Sequence, residues 1–104
     1  MKHYKVWVSH PAENDLKEIA LYIAKELKEP LIAKSLISEM KQAIMNLSTL
    51  PTRHEIVSDE RLAMQGIRKL FIKNYIVFYT ISDEELAVNI IRVLSHRRNW
   101  LHLL

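Results

Sequence analysis

"GIRKLFIKNYIVFYTISDEELAVNIIRVLS", Gly66 to Ser95, is the stretch that decides the fold. It is rich in Ile, Val, Phe and Tyr, the residues that fit a pleated, half-buried surface. Three runs stand out: "GIRKLFIK", "YIVFYTI" and "LAVNIIRVLS". Lys73-Asn74 predicts a tight turn between the first two, because Asn tolerates positive φ. Ser82 to Glu85 predicts a second, wetter turn. Three strands in series with short connections form an antiparallel meander. By a period of two, Leu86, Val88, Ile90, Arg92 and Leu94 share one face of the last strand.

Upstream the period changes. "SHPAENDLKEIALYIAKELK", residues 9–28, is helical: Pro11 suits a first turn, and Glu13 and Asp15 favour its positive end. Leu16, Ile19, Ala20, Ile23 and Leu27 form its apolar stripe. Pro30 breaks that helix and opens another, with Leu36, Ile37, Met40, Ala43, Ile44 and Leu47 as its stripe, and Pro51 ends it. The pair reads as a helical hairpin. "HYKVWV", residues 3–8, alternates as a short strand, with Tyr4, Val6 and Val8 on one face. Residues 51–65 have no clean period and read as a loop with at most a short helical turn. The expected order is β-α-α-β-β-β, an α+β architecture: a helical hairpin packed on a four-stranded, mainly antiparallel sheet. The 104 residues suit one domain, 1–104, with one modest core.

Composition narrows the function. The chain is 49% apolar and 26% charged, as globular domains are. It has no cysteine, which excludes disulfides and thiolate metal sites. The five histidines, at 3, 10, 54, 96 and 102, lack zinc-pair spacing, and the single glycine cannot build a phosphate loop. The sequence therefore calls for no metal and no cofactor. No apolar run approaches the ~20 residues of a membrane span, and "MKHYKVWVSH" lacks a signal peptide's apolar stretch. The expectation is a cytoplasmic protein with no membrane partner.

The net charge of +3 is unevenly spread. Arg68, Lys69, Lys73, Arg92, Arg97 and Arg98 face only Asp83, Glu84 and Glu85 in the last third of the chain, and the three acids sit together in a turn. Arg92, on an apolar row, has a structural reading, snorkelling or pairing with a carboxylate such as Glu55 or Glu60, beside a functional one. Arg68, Lys69 and Lys73 read either as protection of an outer strand from aggregation or as part of a binding surface. "HRRNW", residues 96–100, reads either as a solvated turn with an aromatic anchor or as a working end. Its guanidinium groups can bind phosphate or carboxylate, and its imidazole can move protons.

Taken in order, "AENDLKEIALYI", "AKSLISEMKQAIMNLSTLP" with its Leu-x-x-Leu-Pro ending, "IRKLFIKNYIVFYTI" and "VNIIRVLSHRRNW" resemble the RelE/ParE superfamily of bacterial type II toxin–antitoxin toxins. The resemblance spans about residues 3–100. It implies the same β-α-α-β-β-β fold and a cognate antitoxin partner in a toxin–antitoxin hetero-oligomer. It also implies one of two activities. RelE-like members cleave mRNA on the ribosome without a metal, using clustered Lys/Arg and often a tyrosine. ParE-like, plasmid-stabilisation members inhibit growth by acting on DNA gyrase.

Two departures bear on that choice. RelE-like enzymes commonly carry an arginine after the first tyrosine of the Tyr-x-x-x-Tyr strand, where this chain has Ile76. They often carry a tyrosine just after the terminal arginine, where it has Trp100 and Leu101. Arg97 matches the terminal arginine, and Lys69 matches a basic position on the preceding strand. The expectation is a ParE-like toxin whose target is gripped by Arg68, Lys69, Lys73, Arg92, Arg97, Arg98 and Trp100. The alternatives are a ribosome-dependent mRNA endonuclease with His96 and Arg97 catalytic, and an inactive toxin fold that only binds its antitoxin.

Overall fold

A computed structural model describes residues 2–98 and 100–104; Met1 and Asn99 lie outside the described residues. Strand β1, Lys5–Val8, leads into helix α1, His10–Leu21. Ser9 starts the helix twice over. Its Oγ accepts from the Ala12 N–H at 3.2 Å, and its hydroxyl donates to the Ile91 carbonyl at 2.9 Å. Then comes a π-helical turn, Tyr22–Glu26, where the Leu27 N–H donates to the Tyr22 carbonyl. Lys28, at φ 55°, reverses the chain into helix α2, Pro30–Met45.

The π turn accounts for a departure from expectation. It inserts an extra residue into the helical period, so the stripe changes phase after Ile23. Leu27, predicted to be core, is 52% exposed, while Ala24 packs inward instead. The second stripe is as expected: Leu36, Met40 and Ile44 of α2 and Leu47 of the 3₁₀ turn after it are buried, with Ile37 and Ala43 half-buried beside them.

Residues 51–65 carry more structure than their sequence promises. A short 3₁₀ turn, Pro51–Arg53, follows the left-handed Leu50, at φ 47°. Ile56 then pairs with Arg68 at the edge of the sheet. Helix α3, Glu60–Met64, is capped by the Asp59 carboxylate accepting from the Leu62 N–H at 3.0 Å.

The meander forms as β2, Arg68–Ile72; β3, Tyr75–Ser82; and β4, Ala87–Ser95. The positive φ of the first turn falls on Lys73, at 52°, rather than on Asn74. The sheet order is β1-β4-β3-β2, with β1 parallel to β4 and the other two pairings antiparallel.

A bulge in β4 overturns the expected facing of that strand. Phe78 sits opposite Arg92 and Tyr79 opposite Ile90, which leaves Ile91 as the extra residue. Inserting one residue flips everything beyond it to the other face. Val88, Ile90 and Val93 therefore pack under the helices, whereas Ile91 and Leu94 face the other way.

The expected hairpin-on-sheet layer is present. Ala12, Leu16, Ile23, Met40 and Ile44 cover Leu70, Val77, Tyr79 and Val88. The opposite face of the sheet holds a second core that the sequence reading did not foresee. Ile76, Phe78 and Leu94 are covered there by Val57 and Leu62 and by the C-terminal Trp100, Leu103 and Leu104.

Candidate target-binding site

The basic side chains do not converge on one point. Arg68 begins β2 on the hairpin face, opposite Tyr79. Its Nη1 donates to the carbonyls of His54, at 2.7 Å, and Thr52, at 3.3 Å. Tyr79 ties the same loop: its hydroxyl donates to the Pro51 carbonyl at 2.6 Å. Burial pushes that phenol up to about 12, against the pull of Arg68 and Arg53. Lys69 points to the other face, 3.7 Å from a Glu55 carboxylate oxygen and over the exposed Phe71 ring. Lys73 lies about 16 Å further along the strand direction from Arg68, at the far turn, with its Nζ 3.6 Å from Glu39.

Arg92 is committed inside the protein. Its Nε and Nη2 grip both oxygens of Asp15, at 2.7 and 2.8 Å, and its Nη1 donates to the Leu103 carbonyl at 3.3 Å. Asp15 also accepts from the Val93 N–H at 2.9 Å. β1 ends opposite Ile90, so the carboxylate takes over a backbone donor that lies beyond the last β1 residue. The hydrogen bond to Asp15 raises the Arg92 pKa against the cost of burial. The partner is thus Asp15, not the expected Glu55 or Glu60: the bulge sets Arg92 on the tail face beside Phe78, and its guanidinium reaches Asp15 of α1 where β4 runs past the end of β1. One signal for this lay in the sequence: Asp15 falls between Ala12, Leu16 and Ile19 on the buried stripe of α1, a place where an acid needs a partner.

Trp100 is the anchor of "HRRNW". Its ring packs 5.0 Å from that of Phe78 in the second core. His96 closes the end of the sheet, with its backbone N–H and Nδ1 each 3.0 Å from the Asn74 carbonyl. A carbonyl only accepts, so this contact places the proton on Nδ1 of an exposed ring. Arg97 and Arg98 are exposed on a turn held by Ser95, whose Oγ and carbonyl take their backbone N–H groups. Among the described residues neither arginine has a carboxylate within 4.0 Å.

These two arginines rim a groove of about 590 Å³ between α1 with its π turn and the adjoining ends of β3 and β4. Tyr22 and Leu27 form one wall, and Tyr75 the other. Burial raises the Tyr75 pKa, with a smaller contribution from Tyr22. Neither Tyr22 nor Leu27 was singled out for binding from the sequence, since both lay within an ordinary helical run.

Comparison with known proteins decides the family. The family described as ParE toxin of the type II toxin–antitoxin system, parDE, matches residues 6–100. The chain belongs to the ParE toxin family. No curated protein matches its sequence at a significant level. Among solved structures, this ParE-family toxin is similar to a chain of the toxin–antitoxin complex RelBE2 from Mycobacterium tuberculosis. The two share 26% identity and a TM-score of 0.65, over 94% of this chain and 97% of that one. A chain of the chromosomal ParDE system of P. aeruginosa has a TM-score of 0.73 at 15% identity, covering 89% and 96%. The free E. coli toxin RelE, as a mutant, has a TM-score of 0.67 at 14% identity, covering 97% and 92%. The last two likenesses carry the fold alone. The protein is a type II toxin of the RelE/ParE superfamily with its α+β fold.

Proposed function

We propose that this toxin inhibits growth by binding DNA gyrase, in the manner of the ParE-like branch, with residues 1–104 acting as one cytoplasmic domain. Arg97 and Arg98 make the primary contact, with Lys73 at the same end of the sheet. Arg92 and Trp100 support that end from within, by holding the tail. The observation that carries the reading is the position of Ile76. It fills the place where RelE-like enzymes hold a phosphate-binding arginine, and it is 3% exposed in the second core beneath Trp100 and Leu103. Arg68, engaged with two loop carbonyls, is turned away from His96 and Arg97. A phosphoryl-transfer site needs its cations aimed at one phosphate.

A cognate antitoxin is the second proposed partner. The hairpin exposes Leu21, Leu31 and Ile32, the last two 81% and 55% accessible. An extended or helical antitoxin segment would cover apolar surface of this kind.

Supercoiling by purified gyrase tests the reading: inhibition is expected, and unchanged supercoiling overturns it. A second reading, a ribosome-dependent mRNA endonuclease, draws on one observation, the exposed imidazole of His96 next to Arg97. It predicts cleavage on programmed ribosomes that His96→Ala and Arg97→Ala abolish. Pulse labelling after induction separates the two, since DNA synthesis falls first under one and protein synthesis first under the other. No growth effect at any expression level would leave only antitoxin binding.

A further inference from the structure

We infer that the groove between the π turn and the Arg97–Arg98 turn receives an acidic segment of the target protein with a large apolar side chain at its centre. This rests on the proposal above that the target is a protein. Three observations meet there. The first is the π turn itself. Five π-helical residues close α1 in place of a regular last turn, and π-helical geometry is rare. Here the phase change leaves Tyr22 54% and Leu27 52% exposed, both on the groove wall. A regular helix would have carried the Leu27 stripe back towards the core.

The second observation is charge. Arg97 and Arg98 stand at the rim with no carboxylate partner among the described residues, while Arg68, Lys69, Lys73 and Arg92 all have internal acceptors. Of the two acids in the lining, Asp15 is held by Arg92, and Glu18 lies on the α1 wall, where it acts on Arg92. The arginine rim is therefore open to an incoming carboxylate. The third is the lining. Ile19, Tyr22, Leu27 and Tyr75 offer aliphatic and aromatic surface, which suits a buried anchor flanked by charge. A nucleic-acid strand would need a continuous row of cations along its phosphates, and here the opposite wall carries Glu18.

The test measures binding of the wild type and of Leu27→Glu, Arg97→Glu and Leu27→Met to gyrase holoenzyme, with folding checked by circular dichroism. Met64→Ser, on an 84% exposed side chain of α3 outside the groove, is the control. Leu27→Glu and Arg97→Glu should each weaken binding about tenfold or more, while Leu27→Met and Met64→Ser stay within about twofold. Leu27 is half-exposed, so Leu27→Glu tests the groove even if Arg97→Glu disturbs its turn. Wild-type binding that survives both charge changes overturns the groove and leaves the gyrase proposal standing. Absence of wild-type binding overturns that proposal and this assignment with it. Loss of binding to a short oligoribonucleotide or to the antitoxin, with gyrase binding intact, reassigns the groove and overturns the inference.

Discussion

Arg92 and Arg97 lie five positions apart at the end of one strand, and they occupy opposite environments. Arg92 has three polar partners: both oxygens of a buried carboxylate and a tail carbonyl. Arg97 has its backbone anchored and its guanidinium in solvent. The side chains are chemically identical, so the difference comes from what surrounds them. The first reaches an acid on α1 where β4 runs past the end of β1, and a turn carries the second past the end of the sheet. One arginine joins the hairpin to the tail, and the other is left for a partner.

The sharpest way to break this contrast is Asp15→Ala. It strips Arg92 of its acid and Val93 of its acceptor, leaving a largely buried charge unpaired. The expected loss is about 3–5 kcal/mol in urea unfolding. The double change Asp15→Ala with Arg92→Met should cost less than the sum of the two singles. Additive effects would mean that the pair does not act as a unit.

Next in size is Trp100→Ala. It removes the ring from Phe78 and frees the tail while leaving the Asp15–Arg92 pair intact. About 2–3 kcal/mol is expected, below the range for a fully buried aromatic because Trp100 is only half-buried. Native-state hydrogen exchange should rise in residues 100–104 and around Leu62. Unchanged exchange at Leu62 would mean that the tail does not share a core with α3.

Tyr79→Phe is smaller, about 1–2 kcal/mol, because the Pro51 carbonyl loses its donor. It also changes the alkaline limb. The folded phenol titrates at about 12 and an unfolded one near 10. The contribution of Tyr79 is therefore fully present below pH 10 and fades as pH rises towards 12. The wild type should lose stability faster than Tyr79→Phe across that window, and parallel curves would contradict the assignment.

The smallest stability effect belongs to Arg97→Ala with Arg98→Ala: within about 0.5 kcal/mol, together with loss of gyrase inhibition. A large stability loss would place these arginines with Arg92 and erase the contrast.

Much of the fold was legible because each element carried its own period. The alternation of residues 3–8, the two helical stripes, and the β-rich runs after Gly66 are local signals, and local signals survive without tertiary context. The helix start at Ser9, the breaks at Pro30 and Pro51, and both meander turns were readable for the same reason. The site was less legible. Six basic residues stood out by type, but type does not say which will find an acceptor. Arg68 meets its carbonyls across a loop, and Arg92 meets Asp15 across 77 positions of sequence. The single extra residue at Ile91 leaves no mark in composition, yet it reverses the faces of Arg92, Val93 and Leu94.

Residue order and type were enough for the order of elements, the hairpin-on-sheet layer, the family and the basic character of the C-terminal third. Each of these follows from residue type at short range. Tertiary structure alone decided the parallel placement of β1 beside β4 and the second core beneath the tail. It also decided the exposure of Tyr22 and Leu27 and the division of the arginines into bound and free. A guanidinium pairs with whatever acceptor the fold brings within about 3 Å, and that distance is set by a bulge, a π turn and a sheet edge, none of which a local pattern encodes.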